Sequence, residues 1–309
     1  MIKQQGYILI YGATGLVGQE LVPFLIEKGH KVAVLARNVT KAKQLFGTAI
    51  IILSTEGNYQ NICSDTDFHY KAIINLAGAN VGSKSWTKEY KNEIVKSRVQ
   101  SIEVLKACVD QMVVKPKVWV QASAVGYYGA NVINETDELG KKGEGFLANV
   151  VSIWEETLDI YNLPVMRKVF LRLGIVMTKK GGFLKQMLNV SNLGVVALPY
   201  VENQKLAWIH IHDLINVIQE SISNINYTGK VNVVSPKPAS LDEMKNQLLK
   251  NSRAFFKIRV PKFIFNLVIG SVKTKEMILA NQNIVSNVLI NNNFNYQFEN
   301  LNSVFESDL

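Results

Sequence analysis

The stretch YGATGLVGQE, residues 11–20, decides the fold class of this chain. Its glycines, Gly12, Gly15 and Gly18, are spaced G-x-x-G-x-x-G between an apolar run, residues 7–11, and an amphipathic pattern that begins at Leu16. Such a turn uses glycine for tightness, for close backbone approach to a pyrophosphate and for packing of helix on strand. The N–H groups and positive dipole of the following helix favour phosphate. We predict a dinucleotide-binding turn, with a purely structural turn as the alternative.

Apolar strand-like segments alternate with helical segments up to about Gly174. The strand-like segments are residues 7–11, 31–36, 49–53, 72–75, 118–122 and 165–173, and the clearest helical stretch covers residues 87 to about 111. This alternation is typical of a parallel sheet covered on both faces. We predict an α/β fold, an NAD(P)-binding Rossmann fold with a doubly wound parallel sheet. The irregular pattern after Gly174 predicts a smaller C-terminal substrate lobe.

The composition excludes several classes of protein. A hydrophobic content of 48% with 19% charged residues excludes wholesale disorder. Cys63 and Cys108 have neither pairing nor metal spacing, and the start of the chain has no signal-peptide pattern, so we expect a cytoplasmic protein. The four histidines form no ligand cluster, so we predict no metal site.

The net charge of +9 raises the question of nucleic-acid binding. The lysines are scattered and are mixed with Glu89 and Glu93 in the stretch of residues 84–98, which favours a solvated helix face over a nucleic-acid site. An anionic small-molecule ligand accounts for part of the bias. The apolar stretch PKFIFNLVIGSV, residues 261–272, is too short to cross a bilayer. We predict a packed helix with Pro261 in its first turn and no membrane insertion; contact with a membrane surface is the alternative.

The end of the second strand indicates which dinucleotide binds. An acidic residue there would bind the ribose 2′-hydroxyl, but this chain has Arg37, followed by Lys41 and Lys43. A guanidinium can bind a 2′-phosphate bidentately, so we predict NADP(H) in preference to NAD(H). At the fourth strand, the small residues of INLAGANVG, residues 74–82, let the chain pass close to the cofactor.

Several motifs in order resemble one superfamily: YGATGLVG, INLAGANV, SRV at residues 97–99, ASAVGYYG at 122–129, LRLGIVM at 171–177 and AWIHIHD at 207–213. Together they resemble the extended or atypical short-chain dehydrogenases/reductases, and in particular the "epimerase family protein" subgroup (NAD-dependent epimerase/dehydratase-like). That subgroup ends in a small C-terminal module of unknown role. The resemblance implies a Rossmann domain over residues 1–235, with substrate-lobe insertions from about 174, and the C-terminal module over residues 236–309.

The resemblance also implies roles for individual residues. Ser123 matches the catalytic serine of the family, and Tyr128 lies in the loop that follows it. Arg98 reaches toward the cofactor or a substrate anion, with a surface arginine as the alternative. The family often pairs through a four-helix face, which makes a homodimer possible. The residues expected to bind the cofactor are Gly12, Thr14, Gly15, Leu16, Val17, Gly18, Arg37, Asn75, Leu76, Ala77, Gly78 and Arg98.

The helix FLANVVSIWEE, residues 146–156, lacks the Tyr-x-x-x-Lys pair of typical members. In that pair a lysine one turn away stabilises the phenolate, so that tyrosine can act as acid and base near neutrality. Here Leu147 and Val151 occupy the two positions, and a shift of one residue places Ala148 and Ser152 there. The nearby Lys141 and Lys142 precede the helix in a glycine-rich loop and are poor replacements.

Other residues are candidates for the missing chemistry. Tyr127 and Tyr128 follow Ser123 in a glycine-bracketed loop, with aromatic packing over the cofactor as their alternative role. His210, in the strand-like stretch WIHIH, can titrate in the right range; a structural histidine is the alternative, and Asp213 is expected to cap the next helix.

The leading hypothesis is an NADP(H)-dependent oxidoreductase or epimerase-like enzyme that acts on a small carbonyl, alcohol or nucleotide-sugar-like substrate. Ser123 with Tyr127 or Tyr128 would polarise the substrate oxygen. The rival hypothesis is an NADP(H)-binding redox sensor or regulatory protein with little or no turnover, linked to cell division by analogy alone.

Overall fold

The computed structural model of the protein describes residues 6–56, 69–163, 166–199, 201 and 203–307. Its strands are β1 (Tyr7–Tyr11), β2 (Val32–Ala36), β3 (Ile51–Ser54), β4 (Tyr70–Asn75), β5 (Val118–Ala124), β6 (Asn131–Thr136), β7 (Arg167–Leu173), β8 (Ile175–Met177), β9 (Val195–Pro199), β10 (Lys205–Leu206), β11 (Trp208–His210), β12 (Gly229–Val233), β13 (Ala239–Ser240), β14 (Phe256–Val260) and β15 (Asn281–Ile284). Its α-helices are α1 (Leu16–Glu27), α2 (Val39–Phe46), α3 (Lys88–Gln111), α4 (Phe146–Asp159), α5 (Gly182–Ser191), α6 (Ile211–Ser223), α7 (Leu241–Lys250), α8 (Lys262–Ile269), α9 (Ser271–Lys273), α10 (Asn287–Asn291) and α11 (Leu301–Glu306).

Seven parallel strands form the central sheet in the order β12-β7-β5-β4-β1-β2-β3. From β1 the chain first adds strands on one side, through β2 to β3, and then returns to add β4 on the other side of β1. Ligands of open parallel sheets bind at this reversal, beyond the carboxyl ends of the strands. The predicted doubly wound Rossmann sheet is confirmed.

The central strands are buried because their side chains alternate between two apolar layers. Ile8 and Ile10 pack with α1 and α6 on one face, whereas Leu9 packs with α3 and α4 on the other. All three are fully buried, and each such side chain contributes ~1.5–3 kcal/mol relative to an exposed one. The same arrangement fixes the carboxyl ends of β1, β4, β5 and β7 along one edge of the sheet.

The C-terminal part of the chain builds a third apolar core against β8, β9 and β11. Trp208, Leu248 and Phe305 are among its buried members. Short parallel pairs, β8 with β11 and β9 with β14, frame this part. The segment after α9 also contacts the Rossmann part, since β15 pairs with β6.

Two local predictions were wrong. The stretch after Pro261 does form a helix, α8, but none of its residues is buried, and Leu267 is 85% exposed. Apolar periodicity indicates that a helix has an apolar stripe but not which surface will cover it. Asp213 does not cap α6: the helix begins at Ile211, and Asp213 accepts hydrogen bonds from the backbone of Gln297 and Phe298 instead.

No helix among the described residues is long and apolar enough to cross a membrane. Residues 1–5, where no signal-peptide pattern was found, lie outside the described residues. So do Cys63 and Val165, the predicted first residue of a strand. Cys108, the other cysteine, is buried in α3.

Candidate cofactor and active site

The glycine-rich turn touches the end of β4. Gly12 has a φ of +91°, and a Cβ there would lie 2.6 Å from the Ala77 nitrogen. A Cβ on Gly18 would lie 2.3 Å from the Ala13 carbonyl oxygen, so α1 could not approach β1 with any larger residue. The turn and the strand end that we predict to bind one cofactor are therefore in direct contact.

Helix α1 presents its first turn without a competing cap. Gly15 is the N-cap residue, makes no side-chain cap hydrogen bond, and is followed by no acidic residue in the first turn. The leading N–H groups, those of Leu16, Val17 and Gly18, need an acceptor from elsewhere. The Thr14 carbonyl, in contrast, accepts from Gln19 Nε2 at 3.0 Å. A pyrophosphate fits this turn, because it supplies the missing acceptors and the negative charge that a helix N-terminus favours.

Arg37 is exposed directly after β2, the strand next to β1. Asn38 follows it and caps α2 by accepting from the Lys41 backbone at 2.8 Å. The first turn of α2 has no acidic residue, and Lys43 lies in its last turn. The environment at the end of β2 is thus basic.

Asn75 shapes the end of β4 from within. Its side chain is fully buried: Oδ1 accepts from the Ala77 nitrogen at 3.1 Å, and Nδ2 donates to Ser101 Oγ and Gln121 Oε1. Its polar atoms are therefore committed to the protein, so any contribution to the cofactor site comes from holding the turn. Leu76 and Ala77 are half-buried and Gly78 is exposed.

Arg98 is not a surface arginine. Its Nη1 donates to the carbonyl oxygens of Ala79 and Ile94, and its guanidinium stacks 4.7 Å from the Trp154 ring. A Cβ on Gly78 would lie 3.4 Å from the Arg98 side chain. Burial lowers the pKa of Arg98 to about 10. A half-buried cation thus lies behind the end of β4; its role in binding stays a prediction.

A buried ion pair lies at the ends of β5 and β7. Arg172 donates to both carboxylate oxygens of Glu155, from Nε at 2.9 Å and from Nη2 at 2.7 Å. Ser123 Oγ donates to Glu155 Oε1 at 2.6 Å. All three side chains are buried. Burial opposes the charge on Arg172, but its bonds to Glu155 raise the pKa of the guanidinium above its usual value.

Arg172 also organises the two tyrosines of the 3₁₀ turn Val125–Tyr128. Its Nη1 donates to the Tyr128 hydroxyl at 2.9 Å, and that hydroxyl donates to Asn232 Oδ1 at 2.7 Å. Burial raises the pKa of Tyr128, which is therefore a neutral phenol near pH 7. The guanidinium lies 3.6 Å from the centre of the Tyr127 ring. Tyr127 is half-buried, and its hydroxyl has no hydrogen-bond partner in the described part of the chain.

Helix α4 packs apolar residues where a catalytic pair is typical. A Cβ on Gly126 would lie 3.5 Å from Leu147 Cβ and 3.9 Å from Val151 Cγ2, so both residues pack against the tyrosine turn. The N-terminus of α4 has no cap of its own. Glu276 supplies one, accepting from the nitrogens of Phe146 at 2.8 Å and Leu147 at 2.7 Å.

His210 makes its contacts with residues outside this cluster. It is buried, its Nδ1 accepts from the His212 nitrogen as the cap of α6, and its ring stacks 3.6 Å from that of Phe298. Burial, with the charges of His212 and Lys179, lowers the pKa of His210 to about 3. A catalytic role for His210 remains an untested prediction, which these contacts do not support.

Glu155, Arg172 and Asn232 belong to this site but were not predicted from the sequence. One signal was present: Arg172 stands inside the apolar run VFLRLG, residues 169–174, and a charge in a buried strand needs a partner. The partner could not be identified, because Glu155 and Glu156 are adjacent and only one faces inward. No group of three or more His, Cys, Asp or Glu side chains arranged to hold a metal occurs within the described ranges.

The sheet order, the uncapped helix after a glycine-rich turn, and the polar cluster at the ends of β5 and β7 define the class. These three features are typical of an NAD(P)-binding Rossmann-fold protein of the short-chain dehydrogenase/reductase type. Residues 8–234 match the model of the NAD dependent epimerase/dehydratase family. The chain belongs to that family.

A curated relative agrees with this assignment, and two solved structures agree with the fold. The chloroplastic "Epimerase family protein SDR39U1 homolog" of Arabidopsis thaliana is 31% identical over 288 residues, which cover 92% of this chain and 81% of that protein. The crystal structure of human epimerase family protein SDR39U1 (isoform 2) with NADPH has a TM-score of 0.81 at 24% identity, over 97% of this chain and 98% of that one. A nucleoside-diphosphate sugar epimerase from Corynebacterium glutamicum has a TM-score of 0.75 at 22% identity, over 97% of this chain and 57% of its own.

Proposed function

We infer that the protein is an NADP(H)-dependent oxidoreductase or epimerase-like enzyme acting on a small carbonyl, alcohol or nucleotide-sugar-like substrate. The observation that carries this inference is the contact network from Ser123 through Glu155 and Arg172 to Tyr127. Ser123 and Arg172 are the next-to-last residues of β5 and β7, so both are at the sheet edge that also carries the glycine-rich turn. A substrate oxygen placed beside a bound nicotinamide would meet these groups.

NADP(H) is the cofactor that these residues fit best. Arg37 is exposed at the end of β2, where an acidic residue would select NAD(H), and α2 begins without an acidic residue. A guanidinium there can bind a 2′-phosphate bidentately. The NADPH in the human structure is in keeping with this preference.

Each side chain has a defined task in the proposed reaction. The bound cofactor supplies or accepts the hydride. Tyr127 donates its hydroxyl hydrogen bond to the substrate oxygen and transfers its proton there in the direction of carbonyl reduction. Arg172, over the Tyr127 ring, places a positive charge beside the phenolate that this proton transfer leaves on Tyr127, the role that lysine has in typical members. Ser123 accepts a hydrogen bond from a substrate hydroxyl, since its own proton is held by Glu155.

A second function is favoured by a different observation. Leu147 and Val151 fill the positions of the usual catalytic pair and pack against Gly126, and the Ser123 hydroxyl donates its proton to the buried Glu155. A protein of this kind would bind NADP(H) with little turnover and act as a redox sensor.

One experiment separates the two functions. NADPH is bound to the purified protein, and aldehydes, ketones and sugar nucleotides are screened for its oxidation at the nicotinamide absorbance band. Turnover that Ser123→Ala reduces by ~100-fold or more, with NADPH affinity retained, supports the enzyme. Tight NADPH binding without turnover of any compound supports the sensor.

A further inference from the structure

The positive charge of the chain is concentrated near its C-terminus. Residues 250–275 contain seven of the 34 basic residues and none of the 25 acidic ones. The remaining 27 basic residues nearly balance the acidic ones, so this stretch, which we call the basic apolar segment, accounts for most of the net charge of +9. The lysines are therefore less evenly scattered than the mixed stretch of residues 84–98 indicates. The seven residues are Lys250, Arg253, Lys257, Arg259, Lys262, Lys273 and Lys275.

The same segment exposes an unusual amount of apolar surface. Of the nineteen exposed large hydrophobic side chains in the described residues, eight lie in it. Isolated exposed apolar residues are ordinary, but a group that is contiguous on the surface, such as the four in α8, indicates an interaction site. The eight are Phe255 (75% exposed), Phe256 (62%), Ile258 (52%), Phe263 (68%), Ile264 (40%), Leu267 (85%), Val268 (70%) and Val272 (42%).

Helix α8 turns its apolar face outward. Phe263 and Leu267, and likewise Ile264 and Val268, are four residues apart, so the four side chains form one stripe on the helix. All four are exposed, whereas Phe265 is half-buried toward the protein. A surface helix of a globular protein normally has the opposite orientation.

This face is held firmly by the rest of the molecule. Lys273, the last residue of the short helix α9 that follows α8, donates from Nζ to the carbonyl oxygens of Gly82 and Lys84, both at 2.9 Å. Glu276 caps α4, and β14 pairs with β9 along its whole length. The apolar stripe is therefore exposed on the surface of the folded protein, in a segment that these contacts hold in place.

We propose that the basic apolar segment is a docking surface for an anionic lipid bilayer. Phe263, Leu267 and Val268 would enter the boundary between headgroups and acyl chains, while Lys257 and Lys262 contact lipid phosphates. Stable binding of this kind takes an apolar anchor together with a basic patch, and the segment has both. Helix α8 has eight residues, about 12 Å in length, so it lies on the bilayer and does not cross its ~30 Å core.

Charge argues against a second copy of this chain as the occupant, and the apolar stripe argues against nucleic acid. A two-fold dimer through this face would place the positively charged segment against its own copy, and like charges in contact are unfavourable. Nucleic acid would use the lysines but would leave the aliphatic stripe of Leu267 and Val268 without a partner. An anionic membrane matches both the charge and the apolar surface.

The test is flotation of the full-length protein with vesicles of phosphatidylcholine alone or of phosphatidylcholine with phosphatidylglycerol. Binding is expected only to the anionic vesicles, and it should weaken as salt rises. Leu267→Glu should reduce the partition coefficient by roughly tenfold or more, because a buried leucine is lost. Lys257→Gln and Lys262→Gln should each reduce it by roughly fivefold.

Matched controls exclude a general effect of the substitutions. Leu139 is 89% exposed and lies outside the segment, so Leu139→Glu should bind like the parent protein, as should Lys28→Gln. Leu267→Ser serves as a milder second variant, and unfolding curves confirm that each protein is folded. The proposal is overturned by absence of binding to both vesicle types, by equal binding to neutral vesicles, or by equal losses in Leu267→Glu and Leu139→Glu. It is also overturned if size exclusion shows a dimer that Leu267→Glu dissociates while lipid binding is absent.

Discussion

Arg172 holds Glu155 by two parallel hydrogen bonds, at 2.9 and 2.7 Å, in a position where neither side chain is more than 5% exposed. The pair joins α4 to β7 and, through Ser123, to β5. A bidentate guanidinium–carboxylate pair fixes geometry as well as charge. Glu155 of this pair accepts the hydrogen bond from Ser123, and Arg172 donates one to Tyr128 in the tyrosine turn.

Breaking this pair should be costly. Arg172→Met leaves the Glu155 carboxylate buried without a counter-charge, and we expect a loss of about 3–5 kcal/mol in the free energy of unfolding, measured in urea. Lys106→Met is the matched control, because Lys106 forms a partly exposed pair with Asp110 and should cost under about 1 kcal/mol. Equal effects of the two substitutions would show that the buried pair is not a structural centre.

Gly12 and Gly29 can be compared to separate two effects of adding a Cβ, namely strain of a backbone with positive φ and a clash with a neighbouring backbone segment. Gly12 and Gly29 both have positive φ, +91° and +78°, but only Gly12 lies against another backbone segment, whereas a Cβ on Gly29 meets nothing within 4 Å. Gly12→Ala should therefore reduce NADPH affinity by at least about tenfold, whereas Gly29→Ala should leave the affinity unchanged. Both variants should lose ~1–2 kcal/mol in the free energy of unfolding, because alanine is strained at a positive φ. Calorimetric titration with NADPH measures the first effect and urea unfolding the second. Unchanged affinity in Gly12→Ala would remove the turn from the cofactor site.

Arg37 should distinguish the two dinucleotides. Arg37→Ala removes the group expected to bind the 2′-phosphate, so NADPH affinity should fall by about tenfold or more while NADH affinity stays the same. Both affinities are measured by nicotinamide fluorescence, with NADH as the internal control. Equal affinity of the unaltered protein for the two cofactors would contradict the proposed preference.

The C-terminal segment should stabilise the helix of the candidate active site. Glu276→Ala removes the only cap that the described residues give to α4, and we expect a loss of ~1 kcal/mol together with faster amide exchange at Phe146 and Leu147. Glu103→Ala, an exposed position within α3, is the control and should change neither quantity. Unaltered exchange at Leu147 in Glu276→Ala would show that the contact is not formed in solution.

His210 should make the fold sensitive to acid. The unfolded histidine binds a proton near pH 6.5, but the folded one binds it only near 3, so protonation favours the unfolded chain as pH falls through this range. His210→Asn keeps a side-chain cap for α6 and removes the titration. Stability measured from pH 7 to 4 should therefore fall less steeply in the variant, by up to ~1.4 kcal/mol per pH unit. Parallel profiles would contradict a buried neutral histidine.

The sequence predicted the parts of this protein that depend on local pattern. The turn with Gly12 and Gly18, strands β1 to β5 and β7, and the start of α3 after Thr87 follow from spacing and periodicity, which can be read from the sequence alone. The Glu155–Arg172 pair depends on two segments that meet only in the fold, so a lone arginine in a strand could signal it but not locate it. The outward face of α8 was missed for the same reason, because an apolar stripe does not reveal what covers it.

Oxidation of NADPH by the unaltered protein and by Tyr127→Phe and Tyr128→Phe tests the proposed enzyme most directly. The measurement follows the nicotinamide absorbance band over a panel of aldehydes, ketones and sugar nucleotides. We predict that at least one compound is turned over, and that Tyr127→Phe lowers kcat by ~100-fold or more while NADPH affinity stays within about twofold. Tyr128, held between Arg172 and Asn232, should have the smaller effect. Tight NADPH binding with no compound turned over, or full activity in Tyr127→Phe, would contradict the proposed function.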